Sequence, residues 1–179
     1  MKYWKFLSVV LAVLAVLAIS VPAAASSPVL VKHDYIITSG IEIFPGIDIS
    51  GDNYGATFVA QTTGNGALRA SINYRGTEPA PPSNEIFGGN WTLTITEWGK
   101  PVGTILGRIV GGEVEWSTVG DNPTGLGTVA IDLCIVGGTG KFFGKRGYGT
   151  FSGHDNHVTD IVIGNTVVAT VDGTLTLYY

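Results

Sequence analysis

The chain is short of cysteine, of charge and of helical patterns. Its 179 residues include one cysteine, Cys134, so no disulfide can form within a single molecule. Charged residues make up 13% of the sequence and hydrophobic residues 45%, a balance that excludes an intrinsically disordered chain. No basic cluster is longer than Lys145–Arg146, so the sequence offers no surface that would gather the phosphates of a nucleic acid. These shortages indicate one domain that depends on an apolar core.

The first 25 residues have the three-part organisation of an export signal. Two lysines precede the apolar stretch 6–21, and three alanines follow at 23–25. As a helix this stretch would span about 24 Å, which is less than the roughly 30 Å of a membrane core, so a retained anchor is disfavoured. We expect cleavage after Ala25 and secretion of a single domain of residues 26–179. That domain keeps eight basic and fourteen acidic side chains, a net charge of −6.

Beyond residue 28 the apolar residues alternate with polar ones, as they do in half-buried strands. Trp91, Leu93 and Ile95 share one face of such a segment, and three threonines share the other. We expect strands near residues 29–37, 54–62, 67–74, 91–98, 103–110, 113–118, 127–136, 146–152, 157–163 and 166–178. Turn residues separate them at 64–66, 99–101, 111–112, 121–123 and 164–165. No segment has helical periodicity, so the fold class is all-β: a closed antiparallel up-and-down barrel of about eight strands.

Two segments do not fit this pattern of strands. Three prolines between Gly76 and Asn84 exclude a central strand there, so we expect a long surface loop. The segment Ile41–Ile49 alternates like a strand, but Pro45 and Gly46 interrupt it. We therefore expect it to form an edge strand or a bulged ribbon.

The most informative motif runs from Val136 to Tyr148 and reads Val-Gly-Gly-Thr-Gly-Lys-Phe-Phe-Gly-Lys-Arg-Gly-Tyr. It closely resembles the signature of plant dirigent proteins, and allene oxide cyclases carry a looser form of the same turn. The resemblance implies an eight-stranded barrel with an apolar cavity for a hydrophobic small molecule. In both families the barrel steers a coupling or a ring closure largely by its shape and with few catalytic side chains. It further implies that no cofactor is needed and suggests a homodimer or homotrimer.

In physical terms the motif is suited to a barrel corner. Glycines let the chain leave one strand and reverse sharply, and phenylalanine at 142, with its neighbour at 143, can fold inward to plug the barrel end. A phosphate cradle would require a helix start and a Lys-Ser/Thr ending, and the motif has neither. The residues that we assign to this corner are Gly137, Gly138, Thr139, Gly140, Phe142 and Gly147.

The resemblance also carries over two candidate catalytic residues. Arg146 stands where dirigent proteins place the arginine of their pocket, and Asp132 stands where they usually have an acid. Asp132 shares a strand face with Cys134, and if that face points inward, Asp132 is a buried catalytic acid. If the face of Ile131 and Leu133 points inward instead, Asp132 is solvated. The second arrangement is simpler because it buries the bulkier side chains.

Other polar and aromatic residues support weaker hypotheses. His154, Asp155 and His157 could contribute to a metal site, but this composition is more typical of a polar hairpin turn, so we predict no metal. Aromatic residues such as Trp98 and Tyr178 could bind a carbohydrate, although aromatic residues in strands usually belong to the core. The common sequence signatures of hydrolases are absent from the sequence.

Three classes of function remain open at this stage. The first is a secreted barrel that binds a hydrophobic small molecule and steers its chemistry with Asp132 and Arg146. The second is a passive carrier similar in logic to a lipocalin, and the third is a structural or adhesive surface protein with a filled barrel. None of the three involves a nucleic acid, and none involves a membrane once the signal is removed.

Overall fold

A computed structural model describes residues 29–44, 53–75, 83–163 and 166–179, and these residues form an eight-stranded barrel. The strands are β1 (Lys32–Phe44), β2 (Asn53–Thr62), β3 (Gly66–Arg75), β4 (Ser83–Glu97), β5 (Lys100–Val119), β6 (Asn122–Gly138), β7 (Gly147–Ile163) and β8 (Thr166–Tyr178). Each strand pairs antiparallel with the next, and β8 pairs with β1 to close the sheet. The predicted fold class, a closed antiparallel up-and-down barrel, is therefore confirmed. The predicted signal peptide lies outside the described residues.

Several predicted strand boundaries were wrong, because some glycine and proline positions are not turns. Gly111–Gly112 lies inside β5, where it pairs with β6 across a shift of register. Gly153–His157 likewise lies inside β7. β1 continues to Phe44 with neighbours on both sides, so the described part of Ile41–Ile49 is not an edge strand. Ser83 and Asn84, which were assigned to a loop, begin β4.

The interior of the barrel is apolar, and β6 shows which of its faces points inward. Val129, Ile131, Leu133 and Ile135 are buried, whereas Ala130 and Asp132 between them are exposed. The bulkier side chains of this strand thus form part of the core, where burial from water stabilises the fold. Among the described residues, no helix is long and apolar enough to span a membrane.

Aromatic side chains close one end of the barrel, which we call the plugged end. Phe142 is only 5% exposed and lies edge-on against Tyr179, with 5.8 Å between the ring centroids, and the hydroxyls of Tyr35 and Tyr179 lie 2.9 Å apart. Phe143, in contrast, is 85% exposed and does not contribute to the plug. A short 3₁₀ turn over Gly140–Phe142 positions the plug.

The predicted corner motif adopts this geometry through only some of its residues. Gly140 has a φ of +55°, a conformation that favours glycine, and Thr139 accepts a hydrogen bond from the backbone N–H of Thr104 at 3.2 Å. A Cβ atom on Gly147 would lie 1.9 Å from the carbonyl oxygen of Tyr178, so β8 can approach closely only because this residue is glycine. The same atom on Gly138 would lie 2.6 Å from a backbone oxygen, whereas on Gly137 it would meet nothing within 4 Å.

Candidate functional site

A small cavity lies within the barrel between the plugged end and the opposite end. Its volume is about 40 Å³. It is lined by Glu42, Phe58, Leu68, Ala70, Ile72, Tyr74, Trp91, Ile109, Val129, Ile131, Leu133, Phe151, Val171 and Leu175. Among these side chains, Glu42 and Tyr74 are the two that carry oxygen. The cavity is therefore an apolar space with a single polar corner.

That polar corner is a carboxylate and a phenol in direct contact. The hydroxyl of Tyr74 donates a hydrogen bond to Oε1 of Glu42 at 2.6 Å, and both residues are almost fully buried. The short distance is typical of a hydrogen bond to a charged acceptor. Burying a carboxylate costs free energy unless hydrogen bonds compensate, and this bond provides part of that compensation.

A shift of register in β1 brings Glu42 inside the barrel. The pairing of β1 with both neighbours changes between Ile36 and Gly40, so Ile37 points inward but the following inward positions are Gly40, Glu42 and Phe44. An extra residue at such a bulge exchanges the two faces of a strand. The apolar Ile41 is consequently placed on the other face, and the acidic residue between it and Ile43 enters the interior.

A second polar group lies at the same end of the barrel, which we call the polar end. The side chain of Asn84 accepts a hydrogen bond from Nε1 of Trp116 at 2.6 Å. Asn84 is almost fully buried at the start of β4, and Trp116 is buried near the end of β5. The indole has room because residue 127 is glycine: a Cβ atom there would lie 3.1 Å from the Trp116 ring.

The third group at the polar end is a histidine held between two carboxylates. Nε2 of His157 lies 3.1 Å from Asp155, and Nδ1 lies 3.0 Å from Asp160. Asp155 is fully buried and His157 is mostly buried. Residues 157 and 160 would point to opposite faces of a regular strand, but the pairing of β7 with β8 shifts between Asn156 and Ile161 and allows both to meet.

This arrangement brings three proton-binding side chains into contact. A neutral imidazole has one N–H, so both contacts of His157 are hydrogen bonds only when one more proton resides on the ring or on a carboxyl group. Burial raises the pKa of Asp160, and this effect outweighs the hydrogen bond from His157, which acts in the opposite direction. The Oδ1 atoms of Asp155 and Asp160 are buried without a hydrogen-bond partner among the described residues. Asp160 therefore holds its proton more tightly in the folded protein than it would in water.

Aromatic rings connect these three polar groups. The ring of Phe44 lies 6.3 Å from that of Tyr74 and 5.1 Å from that of His157, measured between centroids. Trp116 meets His157 edge-on at 5.4 Å. The carboxylate–phenol corner of the cavity, the Asn84 amide and the histidine thus belong to one cluster at the polar end.

The two candidate catalytic residues from the sequence lie elsewhere. Asp132 is exposed on the outer face of β6, and Arg146 is exposed beside the plugged end, where its guanidinium donates to the carbonyl oxygen of Val136. Neither side chain lines the cavity. The arrangement of β6 in which Asp132 is solvated is the one observed, so the structure gives this pair no role in the interior.

The two histidines of the candidate metal site point in opposite directions. His154 is exposed and lies 3.0 Å from Asp172 on the outer surface, whereas His157 points inward. Residues three apart in a strand face opposite sides, so they cannot bind one ion together. Across the ranges that the structure describes, no group of three or more histidine, cysteine and acidic residues is arranged to hold a metal ion.

Sequence reasoning missed Glu42, Tyr74, Asn84 and Asp160. Glu42 is flanked by isoleucines and is therefore predicted to face solvent, and Asn84 follows a proline-rich segment. The one available signal was the low overall charge. Because the chain has few acidic residues, an acid between apolar neighbours, such as Glu42, is a candidate for a buried functional group. Comparisons with protein-family models, with curated proteins and with solved structures give no match. The resemblance to dirigent proteins and allene oxide cyclases therefore stays a prediction.

Proposed function

We propose that the protein binds a compact, mostly apolar molecule inside the barrel and holds a polar group of that molecule against Glu42 and Tyr74. The observation that carries the proposal is the buried carboxylate–phenol pair facing an otherwise apolar cavity. Ionisable groups buried in apolar pockets cost stability and are concentrated at functional sites. An apolar pocket with a few convergent polar groups is the usual form of a small-molecule site.

The size and shape of the interior set limits on this molecule. A volume of about 40 Å³ is equivalent to a few water molecules, each of which needs roughly 10–15 Å³. The ligand is therefore small, or side chains at the polar end move aside as it binds. Phe142 and Tyr179 obstruct the plugged end, so the polar end is the side from which a ligand enters.

The chemistry of the cluster suits the steering role that the family resemblance implies. The proton of the Tyr74 hydroxyl is donated to Glu42, so the Tyr74 oxygen can accept a hydrogen bond from a ligand hydroxyl, and Glu42 can accept a proton. The apolar wall restricts the shape of a reacting molecule. Cyclisation or coupling controlled mainly by shape needs little more than this. We propose that the protein acts in this way outside the cell, after its signal is removed, and that it needs no cofactor.

The binding proposal is tested by comparing phenol with toluene, two molecules of the same size that differ in one hydroxyl group. A ring of this size needs a cavity of about 150 Å³, so both ligands require side chains at the polar end to move aside and enlarge the cavity of about 40 Å³. With that movement we expect saturable binding of both by calorimetry. In Tyr74→Phe the affinity for phenol relative to toluene should fall about fivefold, the value of one hydrogen bond of about 1 kcal/mol.

Two matched controls make this experiment specific. Tyr35→Phe removes a hydroxyl at the plugged end, away from the cavity lining, and should leave the phenol-to-toluene ratio unchanged. Ala70→Leu fills the cavity and should abolish binding, whereas Ala67→Leu adds the same atoms on the outer face and should not. Equal losses in both members of either pair, or no saturable binding by the wild type, would refute the proposal.

The alternative to a protein that steers chemistry is a passive carrier, and a substitution of Glu42 distinguishes the two. A carrier needs only the shape of the cavity, so Glu42→Gln, which has nearly the same volume, would leave its ligand binding almost intact. For a barrel that uses Glu42 as an acid or base, the same change removes proton transfer and its pH dependence.

A further inference from the structure

Two aromatic side chains project into solvent from the plugged end. Trp98 is 99% exposed and Phe143 is 85% exposed. The segments that carry them are adjacent, because Lys141 forms an ion pair with Glu97 and a Cβ atom on Gly103 would touch the backbone of Thr139. These two aromatics therefore belong to one surface, although 45 residues separate them along the chain.

The conformation of Trp98 shows that folding does not favour a tryptophan at this position. It lies in the two-residue turn between Glu97 and Lys100 with a φ of +53°, and Gly99 follows with a φ of +74°. Asn-Gly is the preferred pair in such turns, and a bulky residue with positive φ destabilises them. An exposed, strained tryptophan is therefore expected to serve an interaction.

The same end of the barrel is basic, although the protein as a whole is acidic. Lys100, Lys141, Lys145 and Arg146 all lie around the two aromatics on exposed segments. Two acids lie at this end as well, Glu97 and Asp34, and they form ion pairs with Lys141 and Lys32. Four further acids are exposed at the polar end, where Arg75 pairs with one of them: Glu85, Glu113, Glu115 and Asp121. The charges are thus separated along the barrel axis, which orients the plugged end towards a negatively charged surface.

The chain also begins its described course at the plugged end. Val31 and Tyr179 exchange two backbone hydrogen bonds of 3.2 Å, and Val29 before them is 90% exposed. The residues of the predicted export signal precede this point in the sequence. A third apolar side chain, Val29, therefore projects from the same end, in the segment that follows the predicted export signal.

We propose that the plugged end binds the surface of a membrane that contains anionic phospholipids. Trp98, Phe143 and Val29 enter the headgroup region, where tryptophan rings are favoured. The surrounding lysines and Arg146 contact the lipid phosphates, and each basic residue near an anionic surface strengthens binding. This orientation leaves the polar end, and with it the ligand entrance, facing the aqueous phase.

Three isolated apolar side chains, Trp98, Phe143 and Val29, surrounded by basic residues, favour binding to a lipid surface over binding to a protein or a carbohydrate. A small ligand such as a sugar binds in a concave site with a few directed polar groups, and a protein interface needs a continuous, well-packed patch. A fluid headgroup layer adapts to isolated apolar tips and to diffuse positive charge. The inference goes beyond the proposed function and is independent of it, because no cavity residue takes part.

The test uses the exported protein, with removal of the signal verified by mass spectrometry, and vesicles of phosphatidylcholine with or without phosphatidylglycerol. We expect cosedimentation only with the anionic vesicles, a loss of binding at high salt and a blue shift of tryptophan emission. Trp98→Asn should weaken binding about tenfold while leaving Tm unchanged or higher, because asparagine tolerates positive φ. A loss of binding in this variant therefore cannot be attributed to misfolding.

Two double variants, each of which removes two positive charges, test the contribution of charge to binding. Replacing Lys100 and Lys145 by glutamine should weaken binding about tenfold or more, whereas replacing Arg69 and Arg108, which are exposed on the barrel wall, should have little effect. Equal losses in the two double variants would overturn the proposal. So would full binding by Trp98→Asn, or failure to bind anionic vesicles at low salt, the result expected if this surface recognises a protein or a sugar.

Discussion

At the scale of single residues, the unusual feature is a histidine that contacts a carboxylate with each ring nitrogen. Asp155 and Asp160 provide these contacts at 3.1 and 3.0 Å in a mostly buried place. Two carboxylates and a neutral ring would leave one nitrogen lone pair facing a negatively charged oxygen. Partial burial raises the pKa of Asp160, so this residue binds its proton more tightly in the folded protein.

We expect the titration of Asp160 to make the free energy of unfolding depend on pH. Its pKa in the folded protein is above the ordinary 3.8, so the folded state binds the proton more tightly than the unfolded state. The stabilisation is complete below pH 3.8 and is lost as the pH rises through the folded pKa. The free energy of unfolding of the wild type should therefore fall relative to that of Asp160→Asn over this range, as measured by urea denaturation.

The control for this measurement is Asp172→Asn, which removes the carboxylate beside the exposed His154. Solvent screens that pair, so the difference in stability between this variant and the wild type should be small. A stability difference between wild type and Asp160→Asn that is flat, or that grows in favour of the wild type with rising pH, would contradict the argument.

At the scale of strands, bulges decide which residues face the interior. In β4 the buried positions are even up to Ile86 and odd from Trp91 onward, and in β5 they change from odd at Ile109 to even at Val114. A shift of register accompanies the change in β5, as it does in β1. Each bulge exchanges the two faces of its strand, so the residues that face the interior before the bulge and after it belong to opposite alternation patterns.

These bulges explain what could be predicted from the sequence and what could not. Regular alternation correctly placed Trp91, Leu93 and Ile95 on one face, because no shift interrupts that run. For Val129–Ile135 it left two arrangements open, and the simpler one, with the bulkier side chains inward, is observed. The same rule places Glu42 on the solvent face. The bulge between Ile36 and Gly40 exchanges the two faces of β1, and nothing distinctive in the sequence marks that bulge. The fold and the aromatic plug at Phe142 were therefore predictable, whereas the polar cluster was not.

The packing around β6 predicts a specific effect of adding one methyl group. In Gly127→Ala the new Cβ would lie 2.7 Å from Val114 and 3.1 Å from Trp116, so the indole is pushed from its hydrogen bond with Asn84. We expect a loss of about 1–3 kcal/mol in the free energy of unfolding. Gly137→Ala is the matched control, because a Cβ there meets nothing within 4 Å. Equal stabilities of the two variants would show that Trp116 is not fixed as described.

At the scale of the whole molecule, closure of the sheet removes its exposed edges. β1 and β8 are the first and last strands of the described residues, and ten residue pairs join them, from Lys32–Tyr178 to Phe44–Val167. Edge strands are sites of aggregation, and a barrel avoids them. With no disulfide available, this seam is the element that holds the ends of the described chain together.

Hydrogen exchange tests the seam directly. Amide groups that join β1 to β8 near Tyr35 and Ile41 should exchange as slowly as those that join β3 to β4 near Leu68, because both sets open only when the barrel unfolds. Fast exchange confined to the seam would indicate that the sheet is open there. NMR measurement on the folded protein would resolve the two sets.

The aromatic plug at Phe142 and Tyr179 has a kinetic consequence for any chemistry inside the barrel. With that end obstructed, a reaction product has to leave through the polar end, by the same route through which the next substrate molecule enters. Substrate and product therefore exclude each other from the cavity, so product should act as a competitive inhibitor.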